Sequence, residues 1–406
     1  MVTTQYLSLT MKQAKILMLI LIALLPLTLV SCFLGGTQSA GGWAGTAVYN
    51  GTVYAGTLDG RVVAVNSSTQ SLEWAYSFAP TTASGGLSCG ETSVATAIYT
   101  TPVVDMDMIY IGTYSGRVFA LSTLARSQNY TSLQQRYGEW KWPGDDSAQS
   151  SAIVADLLLT SDTIYASSSN GRIYSLDKEF GDLNWESEVL DKIHGKLWTS
   201  PVIGDNTLYV STYDGHIYAL SLETGDLLEW SFEADAGFAS SPMIYEKTIF
   251  IGSFDRYLYA INISSDLPMW KFPKEKPADN WFWAPPVISG GIVYAGCLDG
   301  LIYAIEAKTG EKLWEFNAES PIIASPVLMD NLLIVVNQLG TIYVFDLDAG
   351  LGNETVPLNT ISIDIGVSSS FCAEGGLIHI RGDDNQLYVV DINSGGVRKI
   401  DLNIEE

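Results

Sequence analysis

Residues 293–316 read VYAGCLDGLIYAIEAKTGEKLWEF, and the chain repeats this run along its length. It returns as VYAGTLDGRVVAVNSSTQSLEWAY from Val53, IYASSSNGRIYSLDKEFGDLNWES from Ile164, LYVSTYDGHIYALSLETGDLLEWSF from Leu208 and IFIGSFDRYLYAINISSDLPMWKF from Ile249. Looser copies begin at Ile109, Leu333 and Leu377, making eight. Each opens with large apolar and small residues in alternation, the mark of a strand packed between neighbours. A pair such as Asp214-Gly215 follows and predicts a hairpin, because glycine accepts positive φ. The turn position falls at Gly60, Gly116, Gly171, Gly215, Arg256, Gly300, Gly340 and Asn385. A second polar turn, Glu223-Thr224-Gly225-Asp226 in the fourth copy, leads to a strand carrying a tryptophan.

Upstream of each run a Ser/Thr-Pro-hydrophobe opening recurs, as at Ser200-Pro201-Val202 and Ser325-Pro326-Val327. Proline at a strand's first residue costs no important ladder bond. Ala47, Ala152 and Phe371 are read as replacing it in the first, third and eighth copies. Four antiparallel strands every 40–50 residues predict propeller blades. The fold expected is all-β, an eight-bladed β-propeller of four-stranded antiparallel blades over residues 43–406. Trp74, Trp185, Trp230, Trp270 and Trp314, with Trp140 or Trp142 in the second blade, are read as structural tryptophans packing blade on blade. Blades seven and eight have none.

The order SPV, VYxG, DGxxYALD, TGxxxWxF resembles the PQQ-type propeller repeat over roughly residues 43–400. Two groups share that repeat: quinoprotein alcohol and glucose dehydrogenases, and non-catalytic propellers such as the lipoprotein subunit of the outer-membrane β-barrel assembly machinery. The first group implies pyrroloquinoline quinone and calcium over the axis, and its alcohol-oxidising members carry adjacent cysteines. Here Cys32, Cys89, Cys297 and Cys372 are all separate, and no C-x-x-C-H haem motif occurs. No catalytic residue, metal ligand or cofactor is expected. Cys297 and Cys372 read as buried small hydrophobes, and no disulfide is expected.

Lys12 and Lys15 precede ILMLILIALLPLTLV and then Ser31-Cys32. A basic start, an apolar run too short to span a bilayer and a small residue before the cut describe a secretory signal. Leu29-Val30-Ser31-Cys32 matches the bacterial lipobox. The expectation is a lipoprotein signal peptide at 1–31, lipidation at Cys32, a tether at 32–42 and an extracytoplasmic, membrane-anchored chain on the cell surface or the periplasmic side.

The net charge is −24, and −26 without the leader's lysines. That excludes nucleic acid as a partner, because such binding rests on Lys and Arg neutralising phosphates, and it favours basic partners. Asp346-Leu347-Asp348-Ala349-Gly350 reads as the repeat's third turn rather than a calcium loop. His194, His216 and His379 have no zinc-type companion at short spacing.

Function in repeat folds sits on loops. The inter-blade loops carry Trp43, Tyr99, Trp198, Phe238 and the run Trp281-Phe282-Trp283. The Asp-Gly turns add Tyr114, Tyr213 and Phe254, with Leu58 and Leu298. These are expected to form an aromatic ring round the axial funnel, rimmed by Asp59, Asp214, Asp255 and Asp299. Rigid aromatics among polar groups suit a protein hot spot. The functional expectation is a monomeric, non-enzymatic scaffold for envelope proteins. The alternatives are a quinoprotein-like dehydrogenase or a small-ligand sensor using the funnel.

Overall fold

A computed structural model describes residues 44–78, 81–83, 92–94, 96–124, 129–130, 138–144, 151–187, 196–238, 240–265, 267–349 and 356–402. The chain divides into two compact units, Met1–Ser39 with Pro80–Ala95, and Ala40–Ala79 with Thr96–Glu406. In the first, the described residues form one antiparallel pair, Thr81–Ala83 with Thr92–Val94. The expected signal peptide and Cys32 lie outside the described residues, as do Trp43, Cys89 and His194.

The second unit is all-β: eight successive blades of four antiparallel strands. Blade four is typical. Val202–Gly204, Thr207–Ser211, His216–Ser221 and Leu227–Glu233 pair in chain order from the inside out. The first strands of neighbouring blades touch, which places them innermost. Second and third strands are buried on both faces, so they read as near-continuous Val, Ile, Ala and Tyr. All eight hairpin turns place the expected residue at positive φ, Arg256 (70°) and Asn385 (59°) included.

Backbone pairing corrects the sequence reading of the inner strands. Ala47 pairs with Tyr54 and Val287 with Tyr294, so the proline site of blade one is Thr46, not Ala47. In blade three Leu158 pairs with Tyr165, so that site is Leu157 and Ala152 lies ahead of the strand. Phe371 holds it in blade eight, one residue before Cys372–Glu374. The polar insert after blade two's third strand does more than lengthen a loop: Asn129 and Tyr130 pair in parallel with Ala75 and Tyr76 as a fifth strand on blade one.

Four of the blade tryptophans are hydrogen-bonded joints, whereas the Trp230 Nε1 is buried with no hydrogen-bond partner. The indole Nε1 donates to a carbonyl in the next blade from Trp74 to Thr123 (3.3 Å), Trp140 to Lys178 (3.2 Å), Trp185 to Leu222 (3.0 Å) and Trp270 to Ala307 (2.9 Å). Trp140, not Trp142, fills this position in blade two. Trp140, Trp185 and Trp270 each lie over the glycine of the turn before the fourth strand of the next blade. A Cβ on Gly181 would meet Trp140 Cδ2 at 2.5 Å, and one on Gly310 would meet Trp270 Cδ2 at 2.6 Å. In blade seven Asn359 stands in register with the tryptophans, and its Nδ2 donates to Ile392 O at 2.8 Å. The sequence reading missed this joint because Asn359 shares a hydrogen-bonding task with tryptophan and nothing else.

Blade eight meets blade one through an apolar seam of Val53, Val63, Leu387, Val389 and Ile400. Thr46 Oγ1 donates to His379 O at 2.7 Å, and Leu58 N donates to Asn385 Oδ1 at 3.0 Å. His379 sits where most blades have a tyrosine packed on their own tryptophan, as Tyr54 is on Trp74. Burial lowers its pKa to about 4.

Candidate functional site

One face is made of the Asp-Gly turns and the inter-blade loops, and backbone bonds stitch these together. Tyr213 N donates to Lys196 O (3.0 Å), Phe254 N to Gly237 O (2.7 Å) and Leu298 N to Trp281 O (2.9 Å). Several loops also donate back to the preceding turn, as Phe238 N does to Thr212 O and Ile322 N to Cys297 O. The scaffold under this face is therefore rigid.

The loop residues alternate inward and outward as they approach each inner strand. Ile98, Ile153, Leu197, Phe238, Phe282, Ile322 and Val367 occupy one repeat position, and all are buried. Phe238 and Phe282 are thus core residues, which corrects their place in the expected ring. The reason is local. A Cβ at Gly252 would meet Phe282 Cβ at 2.6 Å and come closer still to its carbonyl oxygen, so the neighbouring blade ends its second strand in glycine to let the loop backbone at Phe282 approach. The register of the repeats carried this signal, since aliphatic residues fill the same position elsewhere.

Among the described residues the outward aromatics come together as an arc. Trp198 packs on Tyr213 with centroids 4.7 Å apart, Tyr213 on Phe254 at 5.3 Å, and Phe254 on Trp281 at 5.1 Å and Trp283 at 6.2 Å. Trp198 is 47% exposed, Tyr213 46% and Trp281 39%, so the arc remains open to solvent across blades four to six. Lys196 Nζ stands 5.9 Å from the Trp198 centroid. Tyr99 and Tyr114 form a separate pair at blade two, 5.4 Å apart. Between and beyond them the turn position carries no aromatic among the described residues, with Ser169, Gln338 and Asp383 in blades three, seven and eight and Leu58 in blade one.

The turn aspartates do not form a free rim. Asp255 accepts from Tyr259 OH (2.5 Å) and Tyr257 N (3.0 Å), and Asp299 from Tyr303 OH (2.9 Å) and Leu301 N (2.9 Å). Burial, reinforced by these carboxylates, raises both phenols above their ordinary pKa. Asp59 pairs with Arg61 and accepts from Thr57, and Asp214 accepts from Thr212. Asp384 was missed as a further member: it accepts from Tyr388 OH and Lys399 Nζ.

Nearer the axis, one repeat position links neighbouring blades through small polar groups. Thr101 N donates to Asp156 Oδ1 at 2.6 Å, and Ser200 N to Ser241 Oγ at 2.9 Å. Burial raises the Asp156 carboxyl pKa, opposed by the Thr101 bond. Among the described residues no group of three His, Cys, Asp or Glu could hold a metal. Asp346 caps its own turn by accepting from Asp348 N at 2.9 Å. Cys297 is buried with its thiol toward Asn280 O (3.4 Å), and Cys372 is half-buried with its thiol toward Thr46 (3.4 Å). Burial raises both thiols, Cys372 to about 12, so neither is a ready nucleophile.

Repeat, blade and joint together define a propeller of the PQQ-like class. The chain belongs to the family whose model is described as outer membrane protein assembly factor BamB, which matches residues 35–185 and 258–398. No curated protein sequence matches it significantly. Solved structures with similar folds include a computationally designed protein, Ika8, at 17% identity and TM-score 0.64, covering 87% of this chain and 96% of that one. BamB from Moraxella catarrhalis follows at 18% and 0.58, covering 89% and 94%. A europium-containing methanol dehydrogenase is similar at 14% and 0.56, covering 86% and 82%. At these identities the likeness is one of fold, and both kinds of PQQ-type propeller share it.

Proposed function

We propose that this chain is a non-enzymatic interaction propeller outside the cytoplasm. It is anchored by acyl chains on Cys32 and acts as a monomeric scaffold in assembling or handling envelope proteins. The observation that carries the reading is the open arc Trp198–Tyr213–Phe254–Trp281–Trp283, rigid aromatic surface on a stitched backbone. Such surface binds protein partners at low entropic cost, because few torsions are left to freeze. Membership of the BamB family supports the same reading, and so does the lipobox at Leu29–Cys32.

The reading contains no catalytic step, no pyrroloquinoline quinone and no calcium. The dehydrogenase alternative is supported by fold alone. The test is capture of envelope proteins from host membranes by the full chain, beside a chain carrying Trp281→Ala and Trp283→Ala. Loss of a reproducible partner in the double variant supports the scaffold. Unchanged capture removes the arc from it. Calorimetry with pyrroloquinoline quinone, with and without calcium, is expected to show no binding; a stoichiometry near one with dye-linked alcohol oxidation would replace the scaffold by an enzyme.

A further inference from the structure

Blade eight breaks the repeat at two residues that face each other across its first and second strands. In the other seven blades an apolar residue of the first strand stands opposite an aromatic or aliphatic residue of the second, as Leu158 does to Tyr165, Val202 to Tyr209 and Val327 to Ile334. In blade eight the pair is Cys372 and His379. Directly opposite residues of an antiparallel pair share one face, with Cβ atoms about 5 Å apart. Blade one encloses the pair through Thr46, which is buried. Its Oγ1 accepts from the Cys372 thiol at 3.4 Å and donates to His379 O at 2.7 Å. His379 is 1% exposed, and its Nδ1 is buried with no hydrogen-bond partner. A third change goes with these two. Arg398 stands at the register position where blade one has Trp74, and it is exposed, so no indole packs on the imidazole as Trp74 packs on Tyr54.

A buried ring nitrogen without a partner is costly, and in native folds such a group marks a bound ion, a ligand or a chemical task. Beside this one lies a thiol, a soft ligand. Burial lowers the His379 pKa to about 4, so at neutral pH the ring is uncharged and can donate a lone pair. The same burial disfavours any net charge between the blades. A univalent ion held by one thiolate and one imidazole leaves none, whereas a divalent ion would leave one positive unit. Zinc asks for four ligands, and among the described residues no third His, Cys, Asp or Glu joins these two. Glu374, two residues on, accepts from Gly51 N at 3.2 Å. Cu(I) is univalent and soft, favours thiolate ligands and accepts two donors in line. Cys372 is only half-buried, which gives an ion a way in.

We propose that Cys372 and His379 form a two-coordinate site for Cu(I) at the seam between blades eight and one. On binding, the Cys372 S–H bond gives way to an S–Cu bond and one proton leaves to solvent, while neither sulfur nor copper changes oxidation state. The site is independent of the aromatic arc. The test titrates the full chain with Cu(I) under anaerobic conditions against a competing copper chelator, beside Cys372→Ser, His379→Gln and Cys89→Ser. The expected result is one Cu(I) per chain, binding at least about tenfold weaker without Cys372 or His379, and no change without Cys89. Cu(I) should also raise the denaturation midpoint of the unaltered chain and of neither ligand variant. X-ray absorption of the unaltered chain should show one sulfur and one nitrogen neighbour in line, a signature that does not depend on any variant folding. No binding by the unaltered chain, unchanged binding in either ligand variant, or copper with two sulfur neighbours would each overturn the proposal.

Discussion

The indole of Trp185 lies on Gly225 of the next blade, so close that a Cβ added there would stand 2.7 Å from Cζ3, while its Nε1 donates to Leu222 O three residues earlier in the same turn. One side chain thus reads both the shape and the polarity of its neighbour. The glycine also sits at φ +74°, where L side chains are strained. The joint needs both residues, and they are 40 positions apart.

Gly225→Ala is therefore expected to destabilise the propeller by about 2–3 kcal/mol, part from backbone strain and part from overpacking. Denaturant unfolding checks this. In a Trp185→Ala background the packing part should vanish, so the cost of Gly225→Ala falls to the strain alone. Equal costs in both backgrounds would mean that the two residues are not coupled.

Asn359 supplies the polar half of the same joint in blade seven. Asn359→Ala removes the bond to Ile392 O and leaves that carbonyl without its side-chain donor. The expected loss is about 1–2 kcal/mol. Asn359→Val, which keeps strand preference, should lose a similar amount, separating the hydrogen bond from strand propensity.

Arg256 holds a turn position that is glycine in six of the other blades, at φ 70°. A left-handed conformation costs an L residue about 1–2 kcal/mol, and glycine returns part of that as chain entropy. Arg256→Gly is expected to stabilise the fold by about 0.5 kcal/mol, read as a rise in the denaturation midpoint. A fall would show that the Arg256 side chain contributes more than its backbone costs.

His379 makes stability depend on pH. Its folded pKa of about 4 lies below the ordinary value of 6.5, because burial disfavours the imidazolium. Between these values the unfolded chain binds a proton that the folded chain does not, so stability is complete above pH 6.5 and falls as pH drops toward 4. The shift corresponds to about 3 kcal/mol. His379→Ile, the residue type blade seven uses at Ile334, should flatten the pH dependence between 6.5 and 4. An unchanged slope would assign the acid sensitivity to other groups.

Much of the fold was legible because its signals are local. The eight turn positions, the strand order and the Trp140-type joint residues follow from patterns that fit within one repeat. Phe238 and Phe282 were misplaced because their burial depends on contacts with other strands, Phe282 against Gly252 and Phe238 within a cluster that includes Tyr209 and Ile251. The aspartates read as a rim proved to be turn caps, since the partner that takes Asp255 or Asp299, a tyrosine four residues on, lies on the same hairpin and competes with solvent.

The repeat by itself determined eight blades, their strands and the left-handed turns, because alternation and positive φ are properties of neighbouring residues. Only the tertiary structure decided that the outward aromatics form an arc over blades four to six, and that Asn359 stands in for an indole. Those outcomes depend on which side chains meet across blades, some forty residues apart along the chain, where sequence spacing no longer specifies distance.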